Sequence, residues 1–317
     1  MCAGMPALSS QSRPIPTFGY CPGASPFSTI ETNPPKGVPP LPHPVAGTIA
    51  PPQRSSRAGA TIIVAAIAAL SLVMVLPHPL RVGAIAALVL LLPAAIAYRA
   101  IYAVHVIVLS LLWIALVAAV PLFRLWPLVL LAPLLAYAAV VIAVAPLRRS
   151  VGWLRLGRLD RGTQLLILAT VAVSAVALVA WVAWTKPDLG HHLALVPDVP
   201  VWVLPLAAIA FAALNAILEE IIFRGVLMEA LDSALGAGHH AIAVQAVAFA
   251  AGHYLSGFPN GALGFVMVLV YGVLLGLIRR RAAGLLAPWL AHVAADLMIF
   301  SILVVTVFAS GASPLTT

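Results

Sequence analysis

Three short groups of ionisable residues stand inside apolar runs: Glu219-Glu220-x-x-x-Arg224, Phe249-x-x-x-His253 and His292-x-x-x-Asp296. A carboxylate or imidazole placed in hydrocarbon is costly unless it is paired or hydrated, so such groups at membrane depth mark functional sites. A carboxylate that takes a proton from water, with imidazoles beside it, can drive attack on an amide carbonyl and steady the oxyanion that forms. That is the chemistry of peptide-bond hydrolysis within a membrane.

The spacing assigns parts. Glu220 and Arg224 are four apart with the acid N-terminal, the favourable order for an ion pair within a helix. Glu219 then points about 100° away around the same helix and is free to face a cavity as the general base for water. His253 and His292 come from two other helices, where they can hydrogen-bond one water or hold a metal together with Glu219. His292 and Asp296 are one turn apart on one side of their helix. Two imidazoles and two carboxylates suit a zinc ion with an open position, yet the H-E-x-x-H signature is absent. A glutamate-activated water needs no metal, and the favoured mechanism is the metal-free one. The metal question stays open at this point.

These residues must be positioned by membrane helices. The chain has 317 residues, 63% of them hydrophobic and 8% charged, with mean hydropathy +1.10. That composition excludes a water-soluble domain. Apolar spans lie at about 58–77, 82–98, 101–122, 125–147, 164–184, 201–232, 239–254, 262–279 and 283–309. Most approach the ~20 residues that cross a bilayer as helix, the form in which an open chain satisfies its own backbone there. The expected fold is an all-α polytopic transmembrane helical bundle with about eight to nine membrane helices. The span 201–232 exceeds one simple crossing and is expected to run past Arg224 into the interface.

The net charge of +8 and pI near 10.2 do not point to nucleic acid, because the arginines occupy short loops between spans. With the N-terminus in the cytoplasm, that side collects Arg13, Lys36, Arg54, Arg57, Arg99, Arg148, Arg149, Arg155, Arg158, Arg161 and Arg279 to Arg281, whereas the other holds Arg81, Arg124 and Lys186. This is the arginine asymmetry of a multi-pass plasma-membrane protein with a cytoplasmic N-terminus. Four parts follow: a Pro-rich disordered tail over 1–56, a four-helix membrane region over 57–147, a basic cytoplasmic loop over 148–163 and a core over 164–317 that holds every clustered acid and histidine. The first residues show no basic region followed by an apolar core, so the first span is expected to act as the targeting signal. Cys2 and Cys21 sit in the tail and give no disulfide framework.

The three motifs, in this order on membrane helices, resemble the CPBP family of intramembrane peptidases, of the CAAX prenyl endopeptidase and bacteriocin-processing type. The resemblance covers roughly the last 120 residues. It implies proteolysis in a cavity open to the cytosol, acting on a membrane-associated peptide or protein substrate, lipidated ones included. Glu219 would be the water-activating base, His253 its partner, His292 and Asp296 the residues that steady the oxyanion, and Glu220 and Arg224 structural or orienting. Members are often labelled metalloproteases, so a divalent metal such as zinc is compatible. Asp296 stands where the eukaryotic members have Asn. An ionised Asp cannot donate a hydrogen bond, so it must be protonated, bind a metal, or orient His292.

Two rival classes share these residues. In a proton-coupled transporter Glu219, Glu220 and Asp296 would relay protons, but the repeat symmetry common in such folds is missing from the chain. A non-catalytic membrane scaffold would tolerate substitution at all three clusters. Plainer readings suit the remaining polar residues. His105 is expected to bond a neighbouring helix, Phe249 to support His253 by packing, and His191, His192, His239 and His240 to be solvated at loops or helix ends. The small residues Gly272 and Gly276 are expected to serve close helix contact within the chain.

Overall fold

The computed structural model describes residues 53–309, apart from Ala194, Ser256 and the side chain of His191. Most of the Pro-rich tail, both cysteines and residues 310–317 lie outside the described residues. Helices α1 (Arg57–Val75), α2 (His78–Ala97), α3 (Ile101–Ala119) and α4 (Leu128–Ala143) come first, followed by the short α5 (Ala145–Ser150). The back part holds α6 (Arg161–Thr185), the single turn α7 (Gly190–Leu193), α8 (Leu204–Glu220), α9 (Met228–Leu235), α10 (His239–His253), α11 (Gly261–Ala282) and α12 (Leu286–Ala309). Each of the nine apolar spans is helical, no strand occurs among the described residues, and seven helices are long and apolar enough to cross a membrane. The fold is all-α and the protein a multi-pass membrane protein. At 16 and 15 residues, α4 and α10 fall short of a full crossing.

The long span expected over 201–232 is one continuous rod. Between α8 and α9 the residues Ile221–Leu227 wind as π-helix, which joins the two α-segments without a break. Local signals set other ends. Ser56 Oγ accepts from the Gly59 N–H at 3.1 Å to cap α1. Asp160 caps α6 by accepting from the Thr163 N–H at 2.7 Å, which holds its carboxyl below the usual carboxylate range. Ala283 takes a left-handed conformation with φ 55° to turn α11 into α12.

Packing places the rods around the site. α8 lies against α12, α10 against α11, α6 against both α11 and α12, and α1 against α9 and α10, so front and back parts share one core. A Cβ at Gly272 would meet Ala246 at 3.1 Å, and one at Gly276 would meet Ile242 at 2.8 Å, so these glycines bring α10 and α11 together as expected. His105 also behaves as expected, with Nδ1 on Tyr137 Oη of α4 at 2.5 Å and Nε2 on Ser150 Oγ at 2.8 Å.

One end of the bundle is knit by its basic segments. Arg280 forms an ion pair with Asp232, and the Ser55 N–H donates to Ser233 O at 2.9 Å. The segment 151–160 crosses this end: Arg158 N–H donates to Ala282 O at 2.8 Å, Leu285 N–H to Arg155 O at 2.8 Å and Leu286 N–H to Leu156 O at 3.1 Å. A Cβ on Gly284 would stand 2.1 Å from the Gly157 nitrogen, so the two backbones touch. Arg279, 6% exposed, reaches beneath to Trp153 O and Arg224 O, each at 3.4 Å.

Candidate active site

The rod α8–α9 places Glu219 and Glu220 at the end of ordinary α-winding, directly before the π segment. A π-wound turn gives up good hydrogen-bond geometry and is found most often at functional sites. Here it carries Arg224 and Gly225. Gly225 is where Trp153 packs, and a Cβ there would lie 2.7 Å from the indole.

Glu220 and Arg224 are fully buried and paired, with Arg224 Nη1 donating to Glu220 Oε1 at 2.9 Å. The ion pair expected from their spacing is present. The same carboxylate oxygen lies 2.8 Å from His292 Nδ1 on α12, a contact that spacing could not show. The guanidinium carbon of Arg224 sits 4.2 Å from the centroid of Phe249, so its charge is balanced by a carboxylate on one side and an aromatic face on another.

Tethered at Nδ1, the His292 ring aims Nε2 at two further carboxylates: Glu219 Oε2 at 3.5 Å and Asp296 Oδ1 at 3.9 Å. Asn215, one turn before Glu219, closes the group. Its Nδ2 donates to Asp296 Oδ2 at 3.2 Å and to Glu219 Oε1 at 3.4 Å, while its Oδ1 accepts from Trp126 Nε1 at 3.1 Å. The indole N–H is a donor only, so it decides which end of the amide faces the carboxylates. Glu219 Oε2 is left buried with no hydrogen-bond partner.

His253, the last residue of α10, donates from Nδ1 to Phe249 O at 3.0 Å, which leaves Nε2 as an acceptor. Phe249 packs edge-on against His253 at 4.7 Å and against His292 at 5.9 Å between centroids. Its expected supporting part is visible in that geometry. Glu219, His253, His292 and Asp296 all line one cavity of about 390 Å³, together with Asn215, Phe249 and Tyr271. Five of the seven motif residues named from sequence therefore line the cavity, and Glu220 and Arg224 lie behind them.

Three contributors escaped sequence reasoning. Asn215 left a usable signal, a polar residue four before Glu219. Trp126 comes from 89 positions away and left none. His192, expected to be solvated, lines the cavity instead, with both ring nitrogens buried and unpartnered and its ring on Phe258 at 5.4 Å. For a metal, the uncommitted donors are Nε2 of each imidazole with Glu219 and Asp296. Among the described residues no three His, Cys, Asp or Glu side chains are grouped to hold an ion. The arrangement as it stands does not fit a bound zinc, and no step below runs through one.

No curated protein and no solved structure matches the chain. Residues 200–298 match the family model described as type II CAAX prenyl endopeptidase, Rce1-like, a protease family. The segment that carries all three motifs is thereby placed with the membrane peptidases that its acids and imidazoles resemble.

Proposed function

We propose that the chain is an intramembrane endopeptidase that cuts peptide bonds of membrane-associated substrates with a water activated by Glu219 and His253. The observation that carries this reading is Glu219 Oε2, buried without a hydrogen bond and 3.5 Å from His292 Nε2, in a cavity shared with two imidazoles. Glu219 takes a proton from water while the oxygen attacks the scissile carbonyl carbon, and His253 Nε2 holds that water by accepting its second hydrogen. The negative oxygen of the tetrahedral intermediate is met by Nε2–H of His292. In the imidazolium form both ring nitrogens donate, Nδ1 to Glu220 and Nε2 to the oxyanion. The proton on Glu219 passes to the amide nitrogen as the C–N bond breaks, releasing an amine and a carboxylic acid, which gives its remaining proton to His253 Nε2 to leave as carboxylate.

Asp296 acts as an acceptor in this scheme. Held by Asn215, it keeps the His292 ring in register and needs no proton of its own. Glu220 and Arg224 hold the other side of the ring. The front region 57–147 supports the core 164–317, supplying Trp126 from the loop that precedes α4, and the basic loop 148–163 closes the arginine-rich end. By that arginine bias the protein sits in the plasma membrane with its N-terminus in the cytoplasm.

The test is cleavage of an internally quenched peptide library by purified protein in liposomes, with and without a chelator. Wild type cleaves with or without chelator, and Glu219→Gln lowers turnover by about 10²–10⁴-fold while keeping its fold. Proton uptake without cleavage would favour a transporter. Equal activity in the variant would remove Glu219 as the base.

A further inference from the structure

The cavity has a blind wing. Mid-helix on α6 and α11 the lining residues Val173, Val266 and Val270 are each more than half exposed. The wing that runs toward α7 ends instead against Leu178, Phe258 and Pro259, all buried. Packing fixes this end: Trp181 meets Phe258 edge-on at 5.2 Å between centroids, and the His192 ring does so at 5.4 Å. Asp188 Oδ1 accepts from the Gly190 N–H at 2.9 Å and Leu189 O from the His192 N–H at 2.8 Å, so the turn that carries the imidazole is held locally. Ile299, two turns beyond His292 on α12, packs on the same cluster and lines the cavity.

One polar group in this wing is uncommitted. Elsewhere on the cavity wall Trp126 Nε1 donates to Asn215, Ser174 Oγ to Thr170 O and Tyr271 Oη to Ala291 O. Both ring nitrogens of His192 are buried and meet no partner among the described residues. A buried donor or acceptor left unpaired is costly, so a pocket that contains one rejects an occupant that cannot satisfy it. A neutral imidazole offers one donor and one acceptor. No Lys or Arg lines the cavity to hold an anion, and the matching group is therefore a neutral one that both gives and takes a hydrogen bond. His192 also precedes residues 200–298, the segment that carries the family match.

We propose that this wing is a specificity subsite in which His192 hydrogen-bonds a hydroxyl or carboxamide side chain of the substrate, set within an otherwise apolar stretch. A blind wing admits a side chain, whereas a peptide backbone has to run on. Ile299 lies about 10 Å along α12 from His292, the span of about three extended residues, which sets the distance of that side chain from the scissile bond. The assignment rests on the peptidase reading of the same cavity.

Two readouts keep the subsite and the chemistry apart. Apolar peptides carry a single Thr or Val, Gln or Met, or Asp, scanned along their length, and positions are counted from the bond that mass spectrometry shows to be cut. Cleavage is measured in liposomes, and binding of the same peptides, labelled with fluorescein, to Glu219→Gln protein gives Kd without turnover. At one position Thr over Val, or Gln over Met, improves both kcat/KM and Kd by about 10–100-fold, the worth of one or two neutral hydrogen bonds in a buried site. His192→Phe brings that ratio near one by weakening the polar peptide, and His192→Gln, which keeps a donor and an acceptor, restores most of it. Size-exclusion profiles show that each variant is folded. A ratio near one at every position, a preference that survives in His192→Phe, tightest binding by the Asp peptide, or binding of no peptide overturns the inference. A His192-dependent binding preference without cleavage keeps the subsite and removes the peptidase reading, and cleavage without any polar preference does the reverse.

Discussion

Glu220 Oε1 stands 2.8 Å from His292 Nδ1 and thereby links the rod α8–α9 to α12 at the centre of the site. An acid whose sequence spacing marks it as half of a local ion pair also sets the orientation of an imidazole 72 residues away. Glu220→Gln keeps the size and one acceptor but loses the charge opposite the ring. Its turnover should fall by about 10–100-fold, the worth of a charged hydrogen bond, with KM little changed. A variant with raised KM and normal kcat would show that Glu220 shapes substrate binding instead.

Arg224 is the counter-charge paired with Glu220 in the buried interior. Arg224→Met leaves a buried carboxylate without its partner, a loss that costs about 3–5 kcal/mol. Denaturation in detergent should show that loss, and the double variant Glu220→Gln, Arg224→Met should recover part of it. Equal destabilisation in single and double variants would mean that the arginine acts through its stacking on Phe249.

Asn215 and Asp296 test how the site works with an acid beside the His292 ring. If Asp296 serves as acceptor for Asn215 and guide for His292, Asp296→Asn retains activity within about tenfold, because Asn still offers a carbonyl oxygen, whereas Asp296→Leu loses far more. Asn215→Leu removes the donor shared by both carboxylates and should lower kcat by a similar margin. Full activity in Asn215→Leu would leave the Trp126–Asn215 contact as packing alone.

Gly257 controls the far imidazole. A Cβ there would lie 2.5 Å from His253 Cα and Cδ2, too near for a side-chain shift to relieve. Gly257→Ala should displace the end of α10, lowering cleavage sharply and stability by about 1–3 kcal/mol. Crosslinking or hydrogen exchange confined to residues 249–261 would locate the change. Wild-type turnover in this variant would detach the His253 position from catalysis.

Much of this arrangement was legible before any coordinates. Lipid forces helix on any long apolar run, so all nine spans are where hydropathy puts them, with ends shifted by a few residues. Glu219, Glu220, Arg224, His253, His292 and Asp296 stand out because charge in hydrocarbon is rare. What stayed hidden depends on contacts between distant segments. The tether from Glu220 to His292, the indole of Trp126 on Asn215 and the inward turn of His192 each join elements by packing, which local spacing does not encode. The π segment was equally invisible, since Ile221–Leu227 reads as an ordinary continuation of an apolar helix.

That widened winding bears on how the gene can vary. A π-wound stretch turns less per residue than α-helix, so one extra residue is taken up locally and the segments on either side stay in register. Removing one residue from Ile221–Leu227 would let the rod relax to regular α-helix with little rotation, whereas one lost between Met228 and Asp232 would swing Asp232 by about 100° away from Arg280. A codon lost within those seven positions should therefore be tolerated better than one lost in the α-wound stretches beside them.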